Sequence, residues 1–473
     1  MASPNISFDN IPSSIRKPGK YFEFNTKLAV RTLPGNLQKV LIVGQRLAAG
    51  SVAAGVATEV FSDKDAASYF GRGSMLHRMC TAAIKAYPYL ALTAIAVDDA
   101  GGSAAATNTI TITGTATASG LLTVKIGDVT LELAVASGDV QNTVAAALNA
   151  LIAKYPDLPV TAGVAANVVT LTARNKGTQG NELKVSAIST ATGTSVAATA
   201  PSGGLVDPDI TTTLAAVFAA GHHIIVTPYN VSASLTILRT HLDSVSGPME
   251  QRGAIGVYAS TGTLSSATTL AGTVNSGRIA SALVPGSLTP SYEIAAAFAA
   301  VIASEEDPAR PLNTLALTGV NAPPLASRLS RTEQENALYN GVTPFEVGPG
   351  DKVQVVRAIT TYTKDAQGID DISLLDLTTI RTLDYVRKAV RERIALRFPR
   401  EKLSEKTPPK VRSEILDVLT KMEELEIVEA VEANKPGLIV ERDSQDPNRL
   451  NAKIPTDVVN GLHVFAGRID LLL

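Results

Sequence analysis

The sequence has no tryptophan, a single cysteine and few aromatic side chains, which make up 4% of its 473 residues. The lone cysteine, Cys80, excludes a disulfide within the chain and any zinc site built from cysteines. Basic and acidic residues nearly balance, 42 against 44, so no overall field favours nucleic acid or anionic lipid. No run of about 18 uncharged apolar residues marks a membrane helix, and the first residues lack the apolar stretch of a secretory signal. We therefore expect a soluble protein of a reducing cytosol, with no membrane insertion and no direct contact with nucleic acid.

What is present favours an ordered protein of several domains. Hydrophobic residues make up 45% and charged residues 18%, and the length suits two to four domains. From residue 37 onward, short apolar segments typical of buried strands, such as KVLIVG, alternate with helical stretches of roughly 10–14 residues. This alternation predicts a wound α/β domain at 37–98 that resumes at 208–288.

The segment between these two parts, 99–207, has a different composition. It is rich in Thr, Ala, Gly and Val, and TITITGTAT and VVTLTARN alternate with the period of two of half-buried strands. KIGDVT carries a hairpin signal with Gly127 and Asp128 at the turn, and Val140–Tyr155 fits one amphipathic helix. We predict a β-rich domain inserted into a loop of the α/β domain.

The rest of the chain predicts a C-terminal α+β domain at 289–461, with extended arms at 1–36 and 462–473. Its main elements are a strand in DKVQVVRAITTYT and two helices, TIRTLDYVRKAVRERIAL and RSEILDVLTKMEEL. The first arm holds the strand-type residues Tyr21, Phe22 and Phe24 among prolines, with no partner hairpin close by. Such a segment is typical of a strand that pairs with something distant. The predicted fold class is therefore α/β and α+β, multidomain.

Motifs for catalysis or cofactor binding are missing. The sequence lacks a phosphate-binding loop, a dinucleotide-binding fingerprint and a serine-nucleophile elbow. Asp365, Asp370, Asp371 and Asp376 form an acidic cluster, but their spacing does not match a calcium loop. Their place between a strand and a helix favours turn and cap residues over an acid/base pair. We predict no catalytic residue, no metal ligand and no cofactor.

Charge is distributed unevenly over the two helices of the last domain. From Arg381 to Arg412 there are eleven basic and four acidic residues, and from Ser413 to Glu432 seven acidic and one basic. Two interpretations remain open. The helices complement each other within one subunit, or they form a contact surface for another charged protein.

A set of segments in the last part of the chain resembles a known family. LNTLALTGV, the segment ending in Asn340-Gly341-Val342, the strand before TTYT and the DYVRKAVRERI helix are similar to the C-terminal core of contractile-tail sheath proteins of myoviruses, in the Mu-like branch. KYFEFNTKLAV and FDNIPSSIRKPG resemble the same branch. The similarity covers about 1–100 and 205–473, and the inserted domain resembles small β-rich modules of phage tail proteins.

The resemblance implies a structural subunit of the virion tail, made and assembled in the host cytoplasm. Such subunits form a helical stack of six-fold rings around the inner tail tube and contract to drive the tube through the host envelope. The partners implied are other copies of the chain, the inner tail tube protein, and baseplate and tail terminator proteins. Strands exchanged between subunits are expected at Tyr21, Phe22, Phe24, Leu462, Val464, Phe465, Ile469 and Leu471.

The resemblance also implies that the DYVRKAVRERI helix lies near the inner tube, with Arg387, Lys388, Arg391 and Arg393 as contacts. The alternatives are a tail-tube or adhesin-type virion protein, with the inserted domain as the binder, or a tail-associated hydrolase. A hydrolase would need paired carboxylates in a cleft, and the sequence identifies no such pair.

Overall fold

The computed structural model describes residues 14–22 and 33–472. Within these residues the strands are β1 (Lys39–Gln45), β2 (Ala57–Glu59), β3 (Ala91–Val97), β4 (Thr107–Gly114), β5 (Gly120–Ile126), β6 (Val129–Val135), β7 (Val160–Ala165), β8 (Val168–Ala173), β9 (Val185–Ser189), β10 (Thr194–Ala198), β11 (Ile224–Val226), β12 (Ile255–Ser260), β13 (Ile279–Leu283), β14 (Thr343–Gly348), β15 (Lys352–Val355), β16 (Val428–Glu429), β17 (Ile439–Arg442), β18 (Leu450–Lys453) and β19 (Asp457–Val458). The α-helices are α1 (Asp63–Phe70), α2 (Met75–Ala86), α3 (Gln141–Ala153), α4 (Thr211–Ala216), α5 (Ser232–Ser246), α6 (Leu264–Val274), α7 (Ser291–Ser304), α8 (Arg331–Tyr339), α9 (Leu377–Arg397), α10 (Thr407–Glu424) and α11 (Val431–Asn434). This mixture of helices and sheets confirms the predicted fold class.

The central sheet has eight strands in the order β15-β14-β13-β12-β11-β1-β3-β2. Its six inner strands are parallel, and the edge strands β2 and β15 are antiparallel to their neighbours. Val40 and Ile42 of β1 pack into a core with α2 and α7, whereas Leu41 and Val43 pack with α4 and α5. Helices therefore cover both faces, as a wound parallel sheet requires. The sheet also continues through β14, beyond the predicted domain boundary at residue 289.

Between β3 and β11 the chain builds two further antiparallel sheets, β10-β4-β8-β7 and β6-β5-β9. With α3 these strands enclose a separate apolar core that includes Ile110, Val124 and Leu148. The hairpin turn predicted between β5 and β6 is confirmed, with Gly127 at a φ of 59°. The entering and leaving segments also pair with each other, through the bridges Ala104↔Leu205 and Thr107↔Ser202.

A buried arginine of α2, Arg78, contacts both α7 and the inserted part of the chain. Its Nε lies 2.5 Å from Glu293 Oε1 on α7, and its Nη2 lies 2.6 Å from Asp128 Oδ1 in the β5–β6 turn. Burial alone would lower the pKa of Arg78, but the attraction of Glu293 and Asp128 raises it, so Arg78 stays charged. Burial raises the pKa of Glu293 to about 7, although Arg78 opposes this shift.

The described chain separates into two compact units. The smaller unit comprises Lys388–Leu425 and Ala430–Pro455 with the described residues before Asn36, and it contains α10, α11 and the β17–β18 hairpin. The larger unit comprises Asn36–Arg387, Glu426–Glu429 and the residues from Thr456 onward. It contains the central sheet, the inserted sheets and the short β16–β19 pair.

Helices α1 and α2 are separated by Gly71 and Gly73, whose φ values of 86° and 75° break the helical path. One predicted element ends earlier than expected. The strand predicted for DKVQVVRAITTYT ends at Val355. Its ladder with β14 stops where the partner is Pro344, which has no N–H to donate.

We predict that Arg78→Ala lowers the free energy of unfolding by about 3–5 kcal/mol, because it leaves Glu293 buried without its cation. Arg72→Ala is the matched control. Arg72 also pairs with an aspartate of the inserted segment, Asp157, but both side chains are half exposed, so its loss should cost less than about 1 kcal/mol. Urea denaturation of the dilute protein compares the two variants. Equal, small losses would contradict the role given to Arg78.

Candidate assembly surfaces

The last described residues expose a series of apolar side chains. From Val459 to Leu472 the described chain has neither helix nor strand. The five residues predicted here for strand exchange are 79–98% exposed: Leu462, Val464, Phe465, Ile469 and Leu471. A monomeric surface rarely leaves so many neighbouring apolar side chains in water, and such a segment is typical of one that becomes buried against a partner.

The first arm contains two further exposed aromatic residues, Tyr21 and Phe22. Neither is in a helix or strand, and Phe22 is 87% exposed. The Tyr21 hydroxyl donates a hydrogen bond to Lys17 O at 3.0 Å. Phe24 lies outside the described residues.

The β17–β18 hairpin offers two open strand edges. Ile439–Arg442 pairs with Leu450–Lys453, and no other described strand pairs with either of them. The turn is well ordered by Asp443, which accepts hydrogen bonds from Asp446 N, the Asn451 side chain and Gln445 N. These bonds lower the pKa of Asp443 to about 2. A two-stranded hairpin with free edges is a template for further strands.

Helix α9 places its predicted contact residues in different environments. Arg387 is half-buried, and its guanidinium donates to Ser246 O at 2.7 Å and to Asp384 Oδ1 at 2.8 Å. Lys388 Nζ donates to Gly35 O at 2.7 Å. Arg391 is the one whose side chain is exposed.

Arg393 differs from its expected position at the surface. Its side chain is only 4% exposed, and Nη1 lies 3.1 Å from Glu414 Oε2 and 2.7 Å from Asp417 Oδ2 on α10. Arg397 Nε lies 3.4 Å from the same Glu414 oxygen. Of the two interpretations of the oppositely charged helices, these contacts favour complementarity within one subunit, and Arg393 has a structural role.

Three members of the acidic cluster have two different roles. Asp365 Oδ1 accepts from the backbone N–H groups of Gln367 and Ile369, and Asp371 accepts from Ser373 N. Both are thus turn residues, as predicted. Asp376 instead forms a two-pronged ion pair with Arg357, at 2.9 and 2.6 Å. In the described chain no three His, Cys, Asp or Glu side chains come close enough to hold a metal ion.

The place where wound sheets usually bind ligands is occupied by the protein itself. That place is the crevice at the carboxyl ends of β1 and β11, where the strand order reverses. Gln45 donates there to Lys176 O, and Gln179 and Glu182 hydrogen-bond to Asn230. The remaining cavity beside Gln179 measures about 30 Å³, enough for water only. Side chains and backbone of the inserted segment thus occupy this part of the crevice.

A second cavity, about 230 Å³, opens beside β14. Glu346 is the single carboxylate in its lining, so the cavity lacks the pair of carboxylates that sugar-polymer hydrolysis uses.

Within residues 14–22 and 33–472, no helix combines the length and apolar character needed to cross a membrane.

Comparison with known proteins shows to which family the chain belongs. Residues 203–361 match the phage tail sheath protein central domain, and residues 370–471 match the phage tail sheath C-terminal domain. Over 487 aligned residues the chain is 37% identical to the Mu-like prophage FluMu tail sheath protein of Haemophilus influenzae, covering 99% of this chain and all of that protein. The chain belongs to the phage tail sheath protein family. The resemblance to the Mu-like branch is thereby confirmed.

Two solved structures share the fold of this sheath protein. The sheath tail protein of Desulfitobacterium hafniense aligns with a TM-score of 0.51 at 14% identity, over 94% of this chain and 97% of that one. The sheath tail protein Lin1278 of Listeria innocua aligns with a TM-score of 0.50 at 15% identity, over 91% and 94%. Its membership of the phage tail sheath family, shown by the matched domains and the 37% identical relative, makes the protein a structural component of a contractile phage tail.

For the sheath protein we predict that Arg393→Ala lowers the free energy of unfolding by about 3 kcal/mol, since Glu414 and Asp417 lose a buried partner. Arg391→Ala, two residues away on the exposed face, should change it by less than about 0.5 kcal/mol. Thermal unfolding of both variants checks this difference. If Arg393→Ala is as mild as Arg391→Ala, the structural assignment of Arg393 is wrong.

Proposed function

We propose that this sheath protein polymerises as a helical stack of six-fold rings around an inner tail tube and contracts to drive the tube through the host cell envelope for genome ejection. Its partners are further copies of itself, the inner tail tube protein, and the baseplate and tail terminator proteins. It is synthesised and assembled in the host cytoplasm and functions in the virion tail. Its role is mechanical and uses no catalytic group or cofactor.

The exposed apolar segment at Leu462–Leu472 carries this proposal. Burying one such side chain contributes about 1.5–3 kcal/mol, so a neighbouring copy that covers the segment gains a substantial driving force. Leu462 and Val464 are two residues apart, as are Ile469 and Leu471. Each pair therefore shares one face of an extended strand, and the backbone remains available to pair with a sheet edge.

The β17–β18 hairpin is the acceptor that best fits such a strand. Both of its outer edges are open, and strand addition relies on backbone hydrogen bonds that tolerate sequence variation. One edge would receive the last strand of one neighbour, and the other edge the Tyr21–Phe24 strand of a second neighbour. A donor and an acceptor that are different segments of the same chain form a head-to-tail contact, which generates helical polymers when it does not close.

Strand exchange also suits contraction without a nucleotide. If the extended lattice is a trapped state of higher energy, its rings can rearrange while the exchanged strands keep neighbouring subunits connected.

For the inner tube, Arg387, Lys388 and Arg391 remain the proposed contacts, with Arg391 the most accessible of them. Arg393 is left out of this set because it is buried within the subunit.

The alternative functions have less support. Similarity to a tail sheath protein over nearly the whole chain disfavours a tube protein. The hydrolase alternative is disfavoured by the filled sheet crevice and by the cavity with one carboxylate. An adhesin role would rest on the inserted sheets alone.

Deleting Leu462–Leu473 should abolish polymer formation and leave the subunit folded, because the deleted side chains contribute to no core of the described chain. Negative-stain electron microscopy of the purified protein reports the polymers, and circular dichroism reports the fold. We expect long hollow tubes from the intact chain and isolated particles from the truncated chain.

Two substitutions in the same segment provide the matched comparison. Ile469→Pro removes a backbone donor from the proposed strand and should also prevent tubes. Arg468→Ala removes only an exposed ion pair with Asp470 and should leave tubes intact. Tubes from the truncated chain would rule out strand exchange, and particles that stay monomeric for the intact chain would rule out the sheath function proposed here.

A further inference from the structure

One side chain in the exposed last segment is fastened to the rest of the protein. His463 is 16% exposed, while its neighbours Leu462 and Val464 are 81% and 79% exposed. Nothing beyond it is buried within the described chain, up to Leu472. The segment thus contacts the rest of the subunit at His463, and the residues after His463 are exposed.

The contacts of His463 form a small polar site. Asn313 Nδ2 lies 3.0 Å from His463 Nδ1 and donates to it, which leaves the proton of the neutral ring on Nε2. Nε2 faces Asp376 Oδ1 at 3.6 Å, too long for a hydrogen bond but close enough for electrostatic attraction. Asp376 is itself fixed by its two-pronged ion pair with Arg357. A rigid carboxylate and an amide therefore define where the imidazole ring lies.

The chain just before His463 is also constrained. Val458 pairs with Val428, and Val459 N donates to Ile427 O at 3.4 Å. At Gly461 a Cβ atom would lie 2.5 Å from Pro311 Cγ, so only glycine allows this close approach without a shift. From Asp457 to His463 the backbone therefore follows a fixed path along the surface.

We propose that His463, seated between Asn313 and the Arg357–Asp376 ion pair, is the anchor that sets where and in which direction the exchanged strand leaves the subunit. This inference rests on the strand exchange proposed above. In it, His463 is the residue that positions the exchanged strand. A tethered strand explores fewer conformations, so less entropy is lost when it pairs with a neighbour. It also has a higher effective concentration at an acceptor that lies in the right direction.

The charge environment of His463 makes the anchor sensitive to acid. Burial lowers the pKa of His463, Arg357 lowers it further, and Asp376 opposes them. Because the folded pKa lies below the ordinary value of about 6.5, the anchor is stable above that pH and weakens as the pH falls through the folded pKa. Arg357 and Asp376 are the charged groups that act on the ring in the described chain.

A spin label on the released strand tests the anchor in the unassembled subunit. Ala466→Cys places the label three residues beyond His463. The native Cys80 does not interfere, because it is buried and burial raises the pKa of its thiol. In dilute full-length protein, His463→Ala should raise the mobile fraction of the label about fivefold, as expected when about one net hydrogen bond, the one from Asn313, is lost. Asp376→Asn should raise the mobile fraction in the same direction, because it removes the carboxylate that attracts Nε2. Unchanged mobility in both variants overturns the anchor while leaving strand exchange untouched.

Assembly of the unlabelled proteins tests the link to function. We expect tubes from His463→Ala to form about fivefold more slowly than from the intact chain at the same concentration, following the loss of anchored strand. Tubes from Asp376→Asn should also form more slowly than those from the intact chain. Asp243→Asn is the control, because it removes an exposed ion pair with Arg239 on α5 and should assemble at the normal rate. Normal assembly of the two anchor variants despite higher label mobility overturns the proposed positioning role.

A pH series separates the anchor from general effects of acid. The label on the otherwise intact chain should gain mobility as the pH falls below about 6.5, whereas the label on His463→Ala should be mobile throughout. Equal pH responses of the two proteins would overturn the role of His463. A chain that forms no tubes under any condition would contradict the sheath function instead, so the two failures are distinguishable.

Discussion

One buried ion pair, Arg78 with Glu293, links α2, α7 and the inserted sheets inside the larger unit. Helix α7 lies against the central sheet with nearly every residue buried, and it carries Glu293 into that apolar environment. A carboxylate there is tolerated only beside a cation. Arg78 supplies the cation, and Asp128 at the β5–β6 turn gives it a second acceptor. The inserted sheets therefore supply one of the carboxylates that neutralise the buried arginine. Helix α2, helix α7 and the β5–β6 turn depend on one another through this contact.

Several elements could be predicted because their signals are local. Strand β1 is a short apolar run, α7 is a long alanine-rich helical stretch, and Gly127 with Asp128 marks a hairpin turn. The Arg78–Glu293 pair has no such signal. Its members are 215 residues apart and each resembles an ordinary charged residue on a helix. The contacts of His463 with Asn313, 150 residues away, are hidden for the same reason.

The arginines of α9 could be told apart by their helical phase, although not by their charge. Arg391 and Arg393 belong to one basic motif, yet two residues rotate the helix by about 200°, so they face opposite sides. Arg393 follows the buried Val386 and Ala389 at spacings of seven and four. Helical phase therefore places it on the buried face, where a charged side chain must find partners on α10. The last segment, predicted as a strand, is neither helix nor strand from Val459 to Leu472, so its pairing with a neighbour stays a prediction.

The paired bridges at the base of the inserted sheets have a consequence for protein engineering. Since Ala104↔Leu205 and Thr107↔Ser202 hold the entering and leaving segments side by side, the insertion behaves as a cassette with adjoining ends. A foreign domain whose own termini are close together could be grafted at this position for display. The graft would succeed only if it also presented an acceptor to Arg78, since the vacated place of Asp128 would otherwise leave that guanidinium with too few partners. The choice of cargo is thus limited by electrostatics as well as by the spacing of its ends.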